Sequence, residues 1–154
     1  MTFHASIESP LGPIALTSDG RHLTDLQIGR HVAKPTADSI IDAASAQLGE
    51  YFAGHRTEFD LPLKATGTAF QESIWQALQK IPFGQTTSYG ELGQAVGKPG
   101  SARAVGGAVG ANPLPIVIPC HRVLASDRRI TGYSGGDGIP TKEKLLDLEK
   151  ISYR

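Results

Sequence analysis

The character of this 154-residue chain changes across Lys64-Ala65-Thr66-Gly67-Thr68, and nothing else in the sequence limits the fold as tightly. Before that stretch, apolar residues come mainly in short strand-like runs with one helical stripe. After it, Gly and Ala dominate and most apolar residues recur every three or four positions. A chain that changes in this way reads as two units, residues 1–65 and 66–154, with the stretch itself as the linker.

In the first unit, FHASIESPLGPIALTSDGRHLTDLQIG predicts three short strands turned at Pro10-Leu11-Gly12 and at Asp19-Gly20, an antiparallel meander. After the polar loop VAKPTADS, residues Ile40, Ile41, Ala44, Leu48 and Phe52 fall at helical spacing between Ser39 and Phe52, ended by Gly54. One helix can then cover one face of the sheet. EFDLPL adds a further extended piece ahead of the linker.

The second unit is rich in Gly and Ala. Thr68 and Gln71 predict a capping box for a helix whose stripe is Phe70, Ile74, Ala77, Leu78 and Ile81, stopped by Pro82. Ser88 and Glu91 predict a second box, opening a short helix with Leu92, Ala95 and Val96 inside and Gly97 at its end. KPGS turns the chain into ARAVGGAVG, and two short helices joined by a tight turn outline a helix-turn-helix. NPLPIVIPCHRV reads as an apolar extended run fenced by Pro113, Pro115 and Pro119. LASDRRITGYSGG reads as a hairpin tip with a glycine-rich loop, and TKEKLLDLEKI as a closing helix capped by Thr141. The expected class is α+β: a small antiparallel sheet with one helix, then a mostly helical domain with a winged-helix-like helix-turn-helix.

Formal charge sums to zero but is uneven. Residues 1–65 carry five Lys/Arg against eight Asp/Glu, and residues 66–154 carry ten against seven. Between Lys98 and Arg129 there are five bases and a single acid, Asp127. That excess fits either a polyanion surface or a solvated loop face. MTFHASIESP has neither the basic nor the apolar region of a signal peptide, so the expected compartment is the cytoplasm. The single cysteine forbids an internal disulfide, and no Cys/His cluster suggests a structural zinc.

Two features carry chemistry. Gly106 and Gly107 lie inside the second helix of the pair, each costing about 1 kcal/mol against Ala. Such a bare helix either packs tightly on another helix or lets something large, such as DNA, approach, with Arg103 as its one long side chain. The other feature is Cys120 beside His121. Lone cysteines are commonly inert core residues. Here the flanking prolines preset the backbone, and His121 and Arg122 could lower the thiol pKa. On an extended backbone neighbouring side chains diverge, so a Cys-His contact needs a turn or a bridging water. Glu149, flanking Leu145 and Leu146, is either the carboxylate that orients the imidazole or a surface acid paired with Lys142 or Lys150. No C-x-x-C, papain-type or caspase-type signature occurs, which leaves a nucleophile acting on something other than a peptide.

IPCHRV, with ARAVGGAVGANP before it and GYSGG after it, resembles the O6-alkylguanine-DNA alkyltransferases, also called methylated-DNA–protein-cysteine methyltransferases. The resemblance runs from about Phe70 to Glu149, and residues 1–65 match that family's variable N-terminal domain in outline. It implies a suicide reaction on double-stranded DNA approached through the minor groove. An alkylated guanine is flipped out, and Cys120 takes the alkyl group from O6, with O4-alkylthymine as a further candidate substrate. Residue by residue, it implies His121 as the base acting through a water, Glu149 as its orienting carboxylate and Asn112 as the brace of the cysteine turn. Arg103 matches the finger that fills the gap in the duplex. Tyr89 matches the tyrosine beside the flipped nucleotide's phosphate, also proposed to protonate the leaving guanine. Tyr133 and Ser134 resemble the pocket wall and the donor to O6, the backbone near Val123 would read the guanine edge, and Lys98 and Ser126 would touch the DNA backbone. No cofactor or metal is implied, and the acting form would be a monomer, with cooperative binding along DNA left open. The rival readings are a silent damage sensor, which would lack the cysteine, and a cysteine hydrolase, which would turn over repeatedly.

Overall fold

The alternating run at the start of the chain becomes a three-stranded antiparallel sheet, β1 (Phe3–Ile7), β2 (Ile14–Ser18) and β3 (Leu23–Ile28), in the order β1-β2-β3. This computed structural model describes residues 1–154, which divide into two units, Met1–Ala65 and Thr66–Arg154. In the first, α1 (Ser39–Phe52) lays Ile41, Ala44, Leu48 and Tyr51 against Ile14, Leu16 and Leu26 of the sheet, all buried. Each large aliphatic side chain so buried contributes roughly 1.5–3 kcal/mol. Asp38 caps α1 by accepting from the Ile41 N–H at 2.8 Å, and its other oxygen accepts from the Ser18 hydroxyl at 2.7 Å, so one carboxylate ties helix to sheet.

The extended piece EFDLPL forms no regular strand. It adds a single parallel bridge, Leu23 to Leu63, on the β3 side, while Thr36 bridges His4 on the β1 side. Both outer strands thus have part of their exposed edge covered.

The second unit is built from α2 (Ala69–Leu78), β4 (Thr87–Ser88), α3 (Tyr89–Ala95), α4 (Ala102–Gly110), β5 (Val123–Leu124) and α5 (Ile139–Leu148). The Thr68/Gln71 capping box forms in full, and the Trp75 indole N–H donates to the Ala108 carbonyl at 2.8 Å, bolting α2 to α4. The second box forms by half. The Ser88 hydroxyl accepts from the Glu91 N–H, but the Glu91 carboxylate accepts from that same hydroxyl and not from the Ser88 backbone.

The turn between α3 and α4 is tight because position 93 has no side chain. A Cβ on Gly93 would stand 2.9 Å from the Lys98 carbonyl oxygen. The glycines of α4 are a different case: a Cβ on Gly107 or Gly110 would meet nothing within 4 Å, and one on Gly106 only the Tyr89 ring at 3.9 Å. Close packing on another helix is therefore not their reason.

Two expectations are corrected here. Thr141 is not the cap of α5, which begins at Ile139 behind Gly138. The buried Thr141 hydroxyl instead accepts from the Asp137 N–H at 2.9 Å. The run 112–119 is not extended: its carbonyls and N–H groups fold back on each other, with Ile118 N–H donating to the Leu114 carbonyl and Ile116 at a φ of +76°. Apolar side chains alternating with prolines mimic a strand in sequence, while the turn is dictated by bonds to Asn112.

Candidate active site

Cys120 owes its position to Asn112. The Asn112 side-chain amide donates to the Ile118 carbonyl at 2.8 Å and its oxygen accepts from the Leu114 N–H at 2.9 Å, closing the turn that delivers Pro119 and Cys120. From there the chain makes one turn of 3-10 helix, Cys120–Arg122, and not an extended strand. Neighbouring side chains in such a turn need not point to opposite faces, which removes the geometric objection to a Cys-His pair. The chain then enters β5, which pairs in parallel with β4, Thr87 opposite Val123. That short ladder holds the start of α3, and so Tyr89, beside the cysteine loop.

His121 is fully buried. Its Nε2 lies 2.6 Å from Oε2 of Glu149, a residue of 3% exposure. The Glu149 carboxylate also accepts from Arg122 Nε at 2.8 Å, from a second Arg122 nitrogen at 3.0 Å and from the Gly84 N–H at 3.0 Å. This two-pronged guanidinium contact overturns the surface reading of Glu149. Arg122 is fully engaged, its other end donating to the Ile81 carbonyl at 2.6 Å.

A carboxylate on Nε2 fixes the imidazole tautomer with that nitrogen protonated, leaving Nδ1 as the basic lone pair. Nδ1 is buried and has no protein partner. Burial above all, with the nearby Arg122 and Lys142 charges, holds the His121 pKa below the ordinary histidine value against the pull of Glu149. The ring is therefore neutral at physiological pH and able to take a proton.

The sequence expectation that cationic neighbours lower the thiol pKa is corrected. Burial pushes the Cys120 thiol up, and bonds from Asn112 and Tyr133 with the Lys142 charge only partly oppose it. Arg122 has no share in this, being committed to Glu149. The resting sulfur is a thiol, so a base must act when the sulfur does.

Cys120 is buried yet opens onto a cavity of about 330 Å³, whose lining includes Tyr89, Thr131, Tyr133, Ser134 and Lys142. The Ser134 hydroxyl donates to the Gly110 carbonyl at 2.9 Å, so the donor it offers without breaking that bond is its backbone N–H. Val123 is fully buried, and its carbonyl already accepts from Lys142 Nζ at 2.6 Å. Arg103 in the first turn of α4, Lys98 in the turn before it and Ser126 at the tip of the loop after β5 are exposed, outside the cavity. No group of three or more His, Cys, Asp or Glu side chains converges as metal ligands.

Two residues of this site escaped the sequence reading. Lys142 is 1% exposed; its ammonium donates to the Val123 and Gly132 carbonyls, and burial lowers its pKa to about 8. Its signal was present, since Lys142, Leu145, Leu146 and Glu149 stand at i, i+3, i+4 and i+7 on one helix face. Thr131, whose hydroxyl lies 3.0 Å from the Tyr89 phenol, had no such signal.

Comparison with known proteins covers both units. Residues 2–65 match the family model of the 6-O-methylguanine DNA methyltransferase ribonuclease-like domain, and residues 69–151 that of the 6-O-methylguanine DNA methyltransferase DNA binding domain. The methylated-DNA–protein-cysteine methyltransferase of Mycobacterium bovis is 46% identical, over 97% of this chain and 93% of that protein. The constitutive enzyme of that name from Bacillus subtilis is 38% identical, over 100% and 99%. Among solved structures, the Mycobacterium tuberculosis O6-methylguanine methyltransferase superposes with a TM-score of 0.87 at 44% identity, covering 97% of this chain and 93% of that one. A structure of the Mycobacterium tuberculosis OGT in complex with DNA gives a TM-score of 0.87 at 45% identity, over 96% and 92%. With both units matched and relatives aligned from end to end, the chain belongs to the methylated-DNA–protein-cysteine methyltransferase family.

Proposed function

We propose that this protein repairs O6-alkylguanine in duplex DNA by moving the alkyl group, once and irreversibly, onto Cys120. The observation that carries the reading is a thiol on the wall of a cavity, followed in the chain by an imidazole whose Nε2 is locked by a buried carboxylate while its Nδ1 is unused. A water between the sulfur and Nδ1 relays the thiol proton to His121. Glu149 holds the ring and steadies the imidazolium. The thiolate then displaces guanine at the alkyl carbon. A thioether lacks the carbonyl through which an acyl-enzyme is hydrolysed, so the cysteine is spent and product never exceeds protein. No cofactor enters the step.

The flipped base enters the cavity between Tyr89 and the loop carrying Tyr133 and Ser134, whose backbone N–H meets O6. Bare α4 lies in the minor groove, where the open space at Gly107 and Gly110 admits the sugar-phosphate walls. Arg103, exposed in its first turn, fills the gap left in the stack, and Lys98 and Ser126 meet the backbone. The protein acts as a monomer. Alkylated thymine is the secondary substrate, because its O4-alkyl group presents the same carbon to the sulfur.

The deciding experiment incubates the protein with an O6-methylguanine duplex and weighs the intact chain and the peptide bearing Cys120. One methyl per chain on that peptide is expected, with Cys120→Ser binding the lesion and repairing nothing. Repeated turnover on an ester or amide would favour a hydrolase, and binding without transfer a damage sensor.

A further inference from the structure

Beyond the residues already given roles, we infer that Thr131 is a positioning residue for the transfer: its hydroxyl holds the Tyr89 phenol at the cavity rim so that the phenolic proton reaches the departing purine. This rests on the proposed function, with Tyr89 serving the leaving base, and adds to it the hydroxyl that orients Tyr89.

Tyr89 is the first residue of α3, and its ring faces α4 at Gly106, where a Cβ would stand 3.9 Å away. With no side chain at Gly106, nothing from that position holds the phenol hydroxyl. The phenol oxygen is fixed by Thr131 Oγ1 at 3.0 Å, across 42 residues of chain. Thr131 and Tyr89 line the same cavity as Cys120. Thr131 is itself anchored, because its loop is tied down by the Ser134 hydroxyl on the Gly110 carbonyl, 2.9 Å, and by Lys142 on the Gly132 carbonyl, 3.2 Å.

A phenol has one proton to donate and lone pairs to accept with. When Thr131 donates into the Tyr89 oxygen, the phenolic proton is left to point elsewhere, and the cavity lies alongside. The chemistry needs a proton there. As the sulfur–carbon bond forms and the carbon–O6 bond breaks, the electron pair passes into the purine, which takes the Tyr89 proton on a ring nitrogen. The phenolate regains a proton from water, and the His121 imidazolium returns to water the one it took from Cys120. The sum exchanges one alkyl group for one proton.

The test compares the unaltered protein with Thr131→Val and Thr131→Ser, at an exposed position where valine keeps the shape. With a saturating O6-methylguanine duplex, Thr131→Val should transfer about tenfold more slowly at unchanged DNA affinity, the size of one lost hydrogen bond in a barrier. Thr131→Ser should recover the rate. With iodomethane as the methyl donor, whose iodide leaves without a proton, all three should alkylate Cys120 equally fast. A Thr131→Val protein as fast as its parent on the duplex overturns the inference. So does an equal loss with iodomethane, which would place the effect on the thiol, or a loss confined to affinity. If the unaltered protein leaves O6-methylguanine intact, the proposed function fails and this inference with it; a fast Thr131→Val protein removes the inference alone.

Discussion

In the first unit the polar side chain withdrawn from solvent is a hydroxyl, Ser18, which donates to the Asp38 cap. In the second, His121, Arg122, Lys142 and Glu149 are all buried. The first arrangement is ordinary core-building, in which apolar area stabilises and polar groups stay at helix ends. The second costs desolvation that ion pairing offsets only in part, and apolar replacements of similar shape are often at least as stable. Four ionisable groups beside one cysteine give the second unit what the first lacks: a neutral imidazole of fixed tautomer, next in the chain to a thiol on a cavity wall. The contrast separates a unit whose polar groups serve the fold from one whose fold serves its polar groups.

The largest test of that contrast removes the charge from Glu149. Glu149→Gln leaves the Arg122 guanidinium buried without its anion and should cost roughly 3–5 kcal/mol in chemical denaturation. A loss below about 1 kcal/mol would mean that the cluster is less buried than its geometry shows.

Lys142 gives a pH signature. Folded, it loses its proton near about 8, and unfolded near 10.5, so between those values the unfolded chain holds more protons. Stability contributed by this residue therefore rises with pH across that window and is depressed below it. Lys142→Met should abolish the rise, which amounts to about 3 kcal/mol, in urea unfolding compared at the two ends. His121 acts on the acid side, where its lowered pKa makes the unfolded chain take up protons first. Stability should fall as pH drops below the ordinary histidine range, and the transfer rate should fall with it once the folded imidazole protonates.

Arg103→Ala tests the exposed face of the same unit. Transfer from duplex DNA should slow by at least about tenfold more than reaction with free O6-benzylguanine, since only the duplex demands extrusion of a base. Equal losses on both substrates would remove the finger role.

The smallest effects set one region directly against the other. Asp38→Ala in the first unit removes a cap and should cost about 1 kcal/mol without altering transfer. Gly107→Ala adds a methyl in open space and should stabilise α4 by up to about 1 kcal/mol while weakening duplex binding. Unchanged binding would detach the bare helix from DNA.

Much of this was legible before any coordinates. The strands, α1 and the Thr68 cap follow from local periodicity and side-chain-to-backbone bonds within four residues, interactions that composition along the chain encodes directly. Cys120 and His121 stood out as candidates in a short motif and Asn112 through the family resemblance of its flanks, while Glu149 stayed open between orienting carboxylate and surface acid. The half-formed box at Ser88 and the start of α5 were not, because the Glu91 carboxylate takes the Ser88 hydroxyl in place of the backbone N–H, and the Thr141 hydroxyl takes the Asp137 N–H. Nor was the thiol's raised pKa: His121 and Arg122 look like activators in sequence, yet Arg122 turns away to Glu149 and burial prevails.

The sequence by itself determined two units, most of their elements and the one candidate nucleophile, because these depend on period and on residue chemistry. Only the tertiary structure decided that Glu149 lies inside against His121, that Lys142 lines the cavity, that Gly107 and Gly110 face open space and that Thr131 meets Tyr89. Each joins residues tens of positions apart, or turns on which face of a helix is covered, and burial and distance belong to the folded chain and not to any stretch of it.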